Sequence, residues 1–143
     1  MSDQVKNIGV SRAKVLATTA KFLEKFGTPK IYADSVAESL VQAQEAGHAS
    51  HGIIRSIEYT NSIEKKIINP KAVPIITRET GGTVVIDRHW GWGQIACKFA
   101  VEVASAKAKK FGISAISISS CNYIGRLGEY IKTLASKNLI SKM

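Results

Sequence analysis

Residues 83–119 read TVVIDRHWGWGQIACKFAVEVASAKAKKFGISAISIS, and this stretch decides the fold class. It begins with TVVID, a short β-branched run bounded by polar residues, which predicts a buried strand. A helical pattern starts near Gly93, and Gly112 is placed to end that helix before a second strand, ISAISIS. Two strands joined by a crossover helix are typical of a parallel pair in an α/β sheet. We therefore predict an α/β fold.

Helical patterns dominate the chain before this unit. Ser11 can cap a first helix, and Gly27 followed by Pro29 supplies its end. A second helix is predicted over about residues 34–46 and a third over residues 53–67, each with apolar residues at helical spacing. The first half of the chain is therefore expected to be mostly helical.

The chain divides into two parts on this pattern. We predict an N-terminal helical region over residues 1–75 and the start of an α/β domain over residues 76–143. A last apolar stripe begins at Leu127 and runs toward Asn138, so a helix is expected after the second strand. A chain of 143 residues can bury a core without disulfides or a structural metal.

Several functional classes are disfavoured by the composition. No apolar run approaches the roughly 18 residues that a membrane span requires, and the N-terminus MSDQVKNIGV lacks the features of a secretory signal. We therefore expect a cytoplasmic protein without a membrane partner. Cys97 and Cys121 form no CxxC pair and lie near no group of histidines, which favours two ordinary buried thiols and predicts no metal site.

The positive charge raises the question of a nucleic-acid partner. The sequence has 20 lysines and arginines against 11 acidic residues, for a net charge of +9, and basic side chains gain affinity for nucleic acids by releasing counterions from phosphates. These residues occur mostly singly or in pairs, without the interleaved aromatic residues of single-strand binders. We therefore expect no nucleic-acid partner.

The segment VVIDRHWGWGQIA, residues 84–96, places GxGxxA between a strand and a helix. This spacing superficially resembles a dinucleotide-binding fingerprint, which needs its first glycine in the tight turn directly after the strand. Here residues 87–90 separate the apolar run from Gly91, and the next strand ends at residues 119–121 without an acidic residue for a ribose hydroxyl. We favour a glycine-rich loop that lets the helix pack closely on the sheet over a phosphate cradle.

The segment EAGHASHGIIR, residues 45–55, places two histidines and an arginine at a helix junction. If Gly52 starts a helix, His51 and Arg55 share one face and can converge on a ligand. A guanidinium can bind a carboxylate while a neutral imidazole accepts the proton of an adjacent hydroxyl, which suits a 2-hydroxy or 2-keto acid. The alternative is structural, with His51 capping a helix and Arg55 pairing with a glutamate such as Glu58.

Three blocks in consistent order and spacing carry a family resemblance: AGHASHGIIRSIEY at residues 46–59, VVIDRHWGWGQIA at 84–96 and AISISSCNYIGRLGEY at 115–130. Together they resemble the malate/L-lactate dehydrogenase family, which also contains ureidoglycolate and sulfolactate dehydrogenases. The resemblance implies an L-sulfolactate dehydrogenase-like fold, with N-terminal helices followed by a β-α-β unit of a larger sheet. It also implies an intertwined homodimer and an oxidoreductase that moves hydride between NAD or NADP and a 2-hydroxy or 2-keto acid.

The same resemblance suggests site residues. Ser50, His51 and Arg55 fall at the substrate-contacting positions of the SHGxxR block, with His51 also a catalytic candidate. Gly93 and Gln94 match a GxGQ element that we interpret as architectural. No residue can be assigned to the cofactor, so the choice between NAD and NADP is left open.

Tyr123 departs from the family pattern. The block after this strand usually places a histidine there, which is taken as the acid/base that exchanges a proton with the substrate oxygen. A phenol has an ordinary pKa near 10 and is a poor base at neutral pH unless its surroundings change it. We therefore include Tyr123 as a catalytic candidate and expect impaired activity.

Family chains are roughly twice as long as this one, which suggests an N-terminal fragment of the family fold. Two functions follow as alternatives. The first is a 2-hydroxy acid dehydrogenase that is impaired or incomplete alone and associates with a second copy or with a missing C-terminal half. The second is a non-catalytic remnant that acts only as a binding or interaction module.

Overall fold

The computed structural model describes residues 9–143. Its elements, in chain order, are α1 Arg12–Lys25, α2 Lys30–Glu45, a 3₁₀ turn Ala49–His51, α3 Arg55–Glu64, β1 Ile75–Thr80, β2 Thr83–Asp87, α4 Gly93–Phe111, β3 Ala115–Ser119 and α5 Leu127–Ser136. The prediction that the N-terminus is not a secretory signal rests on residues 1–10. Residues 1–8 lie outside the described residues. The helices come first and are followed by a small sheet with helices between and after its strands, which confirms the predicted α/β class.

The sheet has three strands in the order β1-β2-β3. β2 and β3 are parallel and pair in register from Thr83 with Ala115 to Asp87 with Ser119, as the strand-helix-strand pattern predicted. β1 is antiparallel to β2. Because β2 and β3 end side by side, the loops that follow them leave from the same edge of the sheet. In open α/β sheets this carboxyl edge is where ligands usually bind.

β1 was not predicted. Its six residues, IITRET, are all exposed, so neither face has the alternating burial that marks a strand in a sequence. Its pairing with β2 shifts register between Ile76 and Arg78. A short, exposed and irregular edge strand of this kind is stabilised by its backbone pairing and by the hairpin turn at Gly81, which has a φ of 56°.

The predicted helix ends are partly confirmed. The Ser11 hydroxyl accepts a hydrogen bond from the Lys14 backbone N–H at 3.4 Å, which caps α1, and Gly112 ends α4 in the left-handed region with a φ of 81°. α2 begins at Lys30, earlier than predicted, because Pro29 precedes it with a pre-set φ of −56°. The predicted 53–67 helix is shorter, since the backbone of Gly52 is extended and α3 starts only at Arg55.

Three apolar clusters hold the fold together, and Trp92 joins the N-terminal helices to the sheet region. The first cluster contains the fully buried Trp92, side chains of α1, α2 and α3, and Ile68 from the segment after α3. The helix side chains are Ala20, Leu23, Ala33, Val36, Ala37, Leu40 and Tyr59. A second lies between α4 and α5, and a third lies between α4 and the sheet. Trp92 therefore places the start of α4 beside α3, which carries part of the candidate site.

The two thiols differ in burial. Cys97 is buried in the α4–α5 cluster, and this burial raises its pKa to about 12. Cys121 is only half-buried, with its Sγ 3.3 Å from the Asn122 carbonyl oxygen. The prediction of two buried thiols is therefore confirmed for Cys97 alone. Within residues 9–143, no helix is long and apolar enough to cross a membrane.

Candidate active site

Three chain segments bring the sequence-predicted site residues together. Ser50 and His51 lie in the 3₁₀ turn, Arg55 starts α3, and Tyr123 lies in the loop that follows β3. The Tyr123 ring is the common contact, since it lies against both the His51 ring and the Arg55 guanidinium. All four predicted residues therefore form one cluster, although Tyr123 is distant from the other three in the sequence.

The two ring nitrogens of His51 differ in their contacts. Its Nδ1 is 3.0 Å from the Ser50 hydroxyl, and its ring centroid is 5.7 Å from that of Tyr123. Nε2 makes no hydrogen bond within residues 9–143. If Nδ1 donates its proton to the Ser50 hydroxyl, Nε2 is left with a lone pair, which is the form that can accept a proton.

The Arg55 guanidinium is held on three sides. Nε donates to the Ser50 carbonyl oxygen at 2.6 Å, Nη1 pairs with the Glu58 carboxylate, and the ring face of Tyr123 lies 4.9 Å from Cζ. The hydrogen bond that Arg55 donates to the Glu58 carboxylate raises the pKa of Arg55 above its usual value, so this side chain stays charged. Nη2 makes no hydrogen bond within the described chain, and it is the donor available to a carboxylate.

The predicted placement of His51 and Arg55 on one helix is wrong. His51 and Arg55 do not share a helix face, because Gly52 is extended and separates the 3₁₀ turn from α3. They converge through Tyr123 instead. The structural alternative had two parts. The Arg55–Glu58 ion pair is present. α3 starts without a side-chain cap, so His51 does not cap it.

Tyr59 is a site residue that the sequence argument missed. It is four residues after Arg55 on α3, and its ring lies 6.5 Å from Tyr123 and 5.4 Å from Trp92. Its hydroxyl accepts a hydrogen bond from Gln94 Nε2 at 2.9 Å, and burial raises its pKa above the ordinary value for a phenol. The spacing of four from Arg55 is the signal that could have identified it.

Asn122 fixes the loop that carries Tyr123. Its side-chain amide donates to the carbonyl oxygens of Trp90 at 2.6 Å, Gly91 at 3.2 Å and Ile67 at 3.3 Å. These carbonyls belong to the chain before α4 and to the segment after α3. One side chain thus connects the loops that follow β2 and β3, which gives the backbone beneath Tyr123 a defined position.

The rest of the NYIGRLGEY block packs the fold. Gly125 adopts a φ of 81°, which favours glycine. Glu129 accepts a hydrogen bond from Ser39 at 2.9 Å and pairs with Lys98 at 3.2 Å, so it connects α5 to α2 and α4. The buried Tyr130 donates its hydroxyl proton to the Ile124 carbonyl oxygen. These residues position the loop without facing the site.

A family model described as malate/L-lactate dehydrogenase matches residues 10–143, nearly the whole chain. The chain belongs to the malate/L-lactate dehydrogenase family. The three sequence blocks that suggested this family all lie inside the matched range, so the family resemblance is confirmed.

Two relatives within the family differ in the reactions that their names describe. The chain is 36% identical to the L-sulfolactate dehydrogenase of Methanocaldococcus jannaschii over 118 residues, which cover 82% of this chain and 34% of that protein. It is 26% identical to Δ¹-pyrroline-2-carboxylate reductase 1 of Burkholderia ambifaria over 140 residues, 98% of this chain and 41% of that one.

A solved structure shows the same backbone arrangement. The malate dehydrogenase of Pyrococcus horikoshii superposes with a TM-score of 0.86 at 29% identity, covering 91% of this chain and 37% of that chain. The chain therefore spans about a third to two fifths of the length of the family members it matches.

The GxGxxA segment does not form a phosphate cradle in this family member. A Cβ on Gly91 would lie 2.6 Å from Arg88 Cζ, so the guanidinium of Arg88 fills that space. A Cβ on Gly93 would overlap the carbonyl oxygens of Asn122 and Tyr123, with the Tyr123 carbonyl carbon 2.7 Å away. Carbonyl oxygens beside the first residue of α4 repel an anion. The glycines instead permit close packing, although against the Arg88 side chain and the loop after β3 rather than against the sheet as predicted.

Arg88 is a fully buried cation without a carboxylate partner among residues 9–143. It donates from Nε to the Trp92 carbonyl oxygen at 3.1 Å and from Nη1 to the Ala72 carbonyl oxygen, and its Cζ lies 5.4 Å from the Tyr32 ring centroid. Burial lowers its pKa from the ordinary value. The loop after β2 therefore wraps around the Arg88 guanidinium, which is hydrogen-bonded to backbone carbonyls on two segments.

Gly93→Ala is expected to lower the free energy of unfolding by about 2 kcal/mol, because the added methyl group meets backbone carbonyls that cannot rotate away. Urea unfolding would measure the change. The matched control is Gly9→Ala, since a Cβ at Gly9 has no neighbour within 4 Å. Equal stability of the two variants would show that the start of α4 does not press against the Tyr123 loop.

Proposed function

We propose that this chain carries the substrate-binding side of a 2-hydroxy acid dehydrogenase site, formed by Ser50, His51, Arg55 and Tyr123. The observation that carries the proposal is the meeting of a guanidinium and an imidazole around one aromatic ring at the carboxyl edge of the parallel strands. Family membership and the dehydrogenase names of relatives support the reaction class.

The chemistry assigned to each residue follows from its free atoms. Arg55 Nη2 donates to the substrate carboxylate, because Nε and Nη1 are already engaged by Ser50 and Glu58. His51 Nε2 accepts the hydroxyl proton during oxidation and returns it to the carbonyl oxygen during reduction. The Ser50 hydroxyl orients the imidazole from Nδ1. The Tyr123 hydroxyl is a second candidate proton donor in the same cluster.

A nicotinamide cofactor, NAD or NADP, would carry the hydride. The glycine-rich segment before α4 does not fit its diphosphate, since Arg88 and the carbonyls of Asn122 and Tyr123 occupy the space around Gly91 and Gly93. We therefore assign no residue within 9–143 to the cofactor. The proposal concerns only the groups that bind the acid and move its proton.

The test is a panel of 2-hydroxy acids with NAD or NADP, and of 2-keto acids with the reduced cofactors, followed by nicotinamide absorbance. Titration with oxamate, a non-reacting analogue of a 2-keto acid, measures binding in parallel. Turnover of any member of the panel together with oxamate binding supports the dehydrogenase. Oxamate binding without turnover supports the second candidate, a non-catalytic binding module. Failure of both would contradict the assignment of the acid-binding site.

A further inference from the structure

The contact between Tyr123 and Arg55 is made by the ring of the tyrosine. Cζ of Arg55 lies 4.9 Å from the ring centroid, inside the roughly 6 Å range of a cation–π interaction. The Tyr123 hydroxyl makes no hydrogen bond within residues 9–143. The residue is 41% exposed, so its ring is not fully covered by these neighbours.

The position of this ring is set by the backbone beneath it. Asn122 donates to three carbonyl oxygens of neighbouring segments, and the carbonyls of Asn122 and Tyr123 lie against Gly93 at the start of α4. The backbone beneath the ring is therefore held in place. An arginine side chain has several rotatable bonds and loses freedom when it is held in one orientation.

The other two contacts of the guanidinium leave its orientation incomplete. Nε is fixed by the Ser50 carbonyl oxygen and Nη1 by Glu58, but Glu58 itself is an exposed side chain, and exposed ion pairs hold their partners weakly. Arg55 Cζ lies over the face of the Tyr123 ring, and this contact is separate from both hydrogen bonds. With all three contacts in place, Nη2 keeps one direction.

We propose that Tyr123 is a positioning residue whose ring holds the Arg55 guanidinium so that Nη2 stays aimed at the carboxylate of the substrate. This inference rests on the proposed function and adds a role for the ring that is separate from proton transfer by the hydroxyl. It gives the tyrosine at this position a use that does not depend on proton transfer.

The experiment compares wild-type protein with Tyr123→Phe, which keeps the ring, and Tyr123→Leu, which removes it. The Arg55 side-chain Nε–H signal is followed by nuclear magnetic resonance in ¹⁵N-labelled protein and is assigned by its loss in Arg55→Met. Protons near the face of an aromatic ring are shifted upfield. We expect this shift in wild type and in the Phe variant, and its loss in the Leu variant.

Oxamate titrations of the same samples test the function of the contact. The Leu variant should bind oxamate about tenfold more weakly, which corresponds to the strength of a partly desolvated cation–π contact, and the Phe variant should stay within about twofold of wild type.

Four results would overturn the proposal. An unshifted Arg55 signal in wild type would show that the ring does not contact the guanidinium, and this measurement does not depend on the Leu variant folding. Equal affinity of wild type and the Leu variant would remove the positioning role while the acid-binding site stands. Equal loss in the Phe and Leu variants would assign the effect to the hydroxyl. If wild type itself does not bind oxamate, the proposed function fails, and the inference fails with it.

Discussion

Arg55→Met is expected to weaken oxamate binding about 100-fold. The substitution removes the charge-assisted hydrogen bond from Nη2 to the carboxylate. Hydrogen bonds to charged groups contribute about 1.5–3 kcal/mol, and a value in the upper half of this range corresponds to about 100-fold in affinity. Methionine keeps much of the side-chain length, so the cluster around Tyr123 is not emptied. Isothermal titration calorimetry with oxamate measures the effect.

The matched control is Arg78→Met on β1, an arginine that is exposed and distant from the cluster. It makes the same change in net charge, so it separates a local contact from the general attraction of a basic protein for an anion. A similar loss of affinity in both variants would mean that oxamate responds to net charge alone. Because Arg55 also bonds to Ser50 and Glu58, thermal unfolding of the variant must accompany the titration.

The fold could be predicted where one face of a helix or strand is buried, because apolar residues then recur at regular spacing in the sequence. β2, α4 and β3 bury alternating or helical sets of apolar residues, and Gly112 ends α4 with the positive φ that its position predicted. β1 could not be predicted in this way, because all six of its side chains are exposed and its identity depends on the backbone of β2.

The sequence suggested four residues of the candidate site but not Tyr59, and it did not predict their geometry. His51 and Arg55 were expected to meet on one helix, but the extended Gly52 separates them, and their convergence depends on Tyr123 from a distant loop. Such a long-range contact leaves no local pattern, and only the family resemblance placed Tyr123 in the site. Arg88 was missed for a related reason, since a charged side chain is assumed to face water.

The position of this loop is the link between fold and site. Asn122 and Gly93 hold the Tyr123 backbone against the start of α4, Gln94 reaches from α4 to the Tyr59 hydroxyl, and Tyr59 is part of the first core cluster. The site residues are therefore supported by the same packing that joins the N-terminal helices to the sheet. Changes in that packing should therefore shift the cluster around Tyr123.

His51→Asn is expected to lower kcat about 100-fold or more while oxamate affinity stays within about threefold. Loss of a general acid–base group typically costs 10²- to 10⁴-fold in rate, and the carboxylate contact through Arg55 does not involve the imidazole. Asparagine can still donate to the Ser50 hydroxyl, so the 3₁₀ turn keeps a polar partner. Steady-state kinetics of 2-keto acid reduction, with kcat and KM determined separately, measure the change.

His48→Asn supplies the control, because His48 lies in the same segment, with its ring centroid 6.3 Å from that of His51. Among the described residues it forms no aromatic pair with Tyr123 and no hydrogen bond to Arg55. The control should keep the wild-type kcat. Equal loss in both variants would indicate that the segment is disturbed as a whole. A wild-type kcat in His51→Asn would assign proton transfer to the Tyr123 hydroxyl instead. Tyr123→Phe would then be the variant that loses turnover while it keeps its affinity for oxamate.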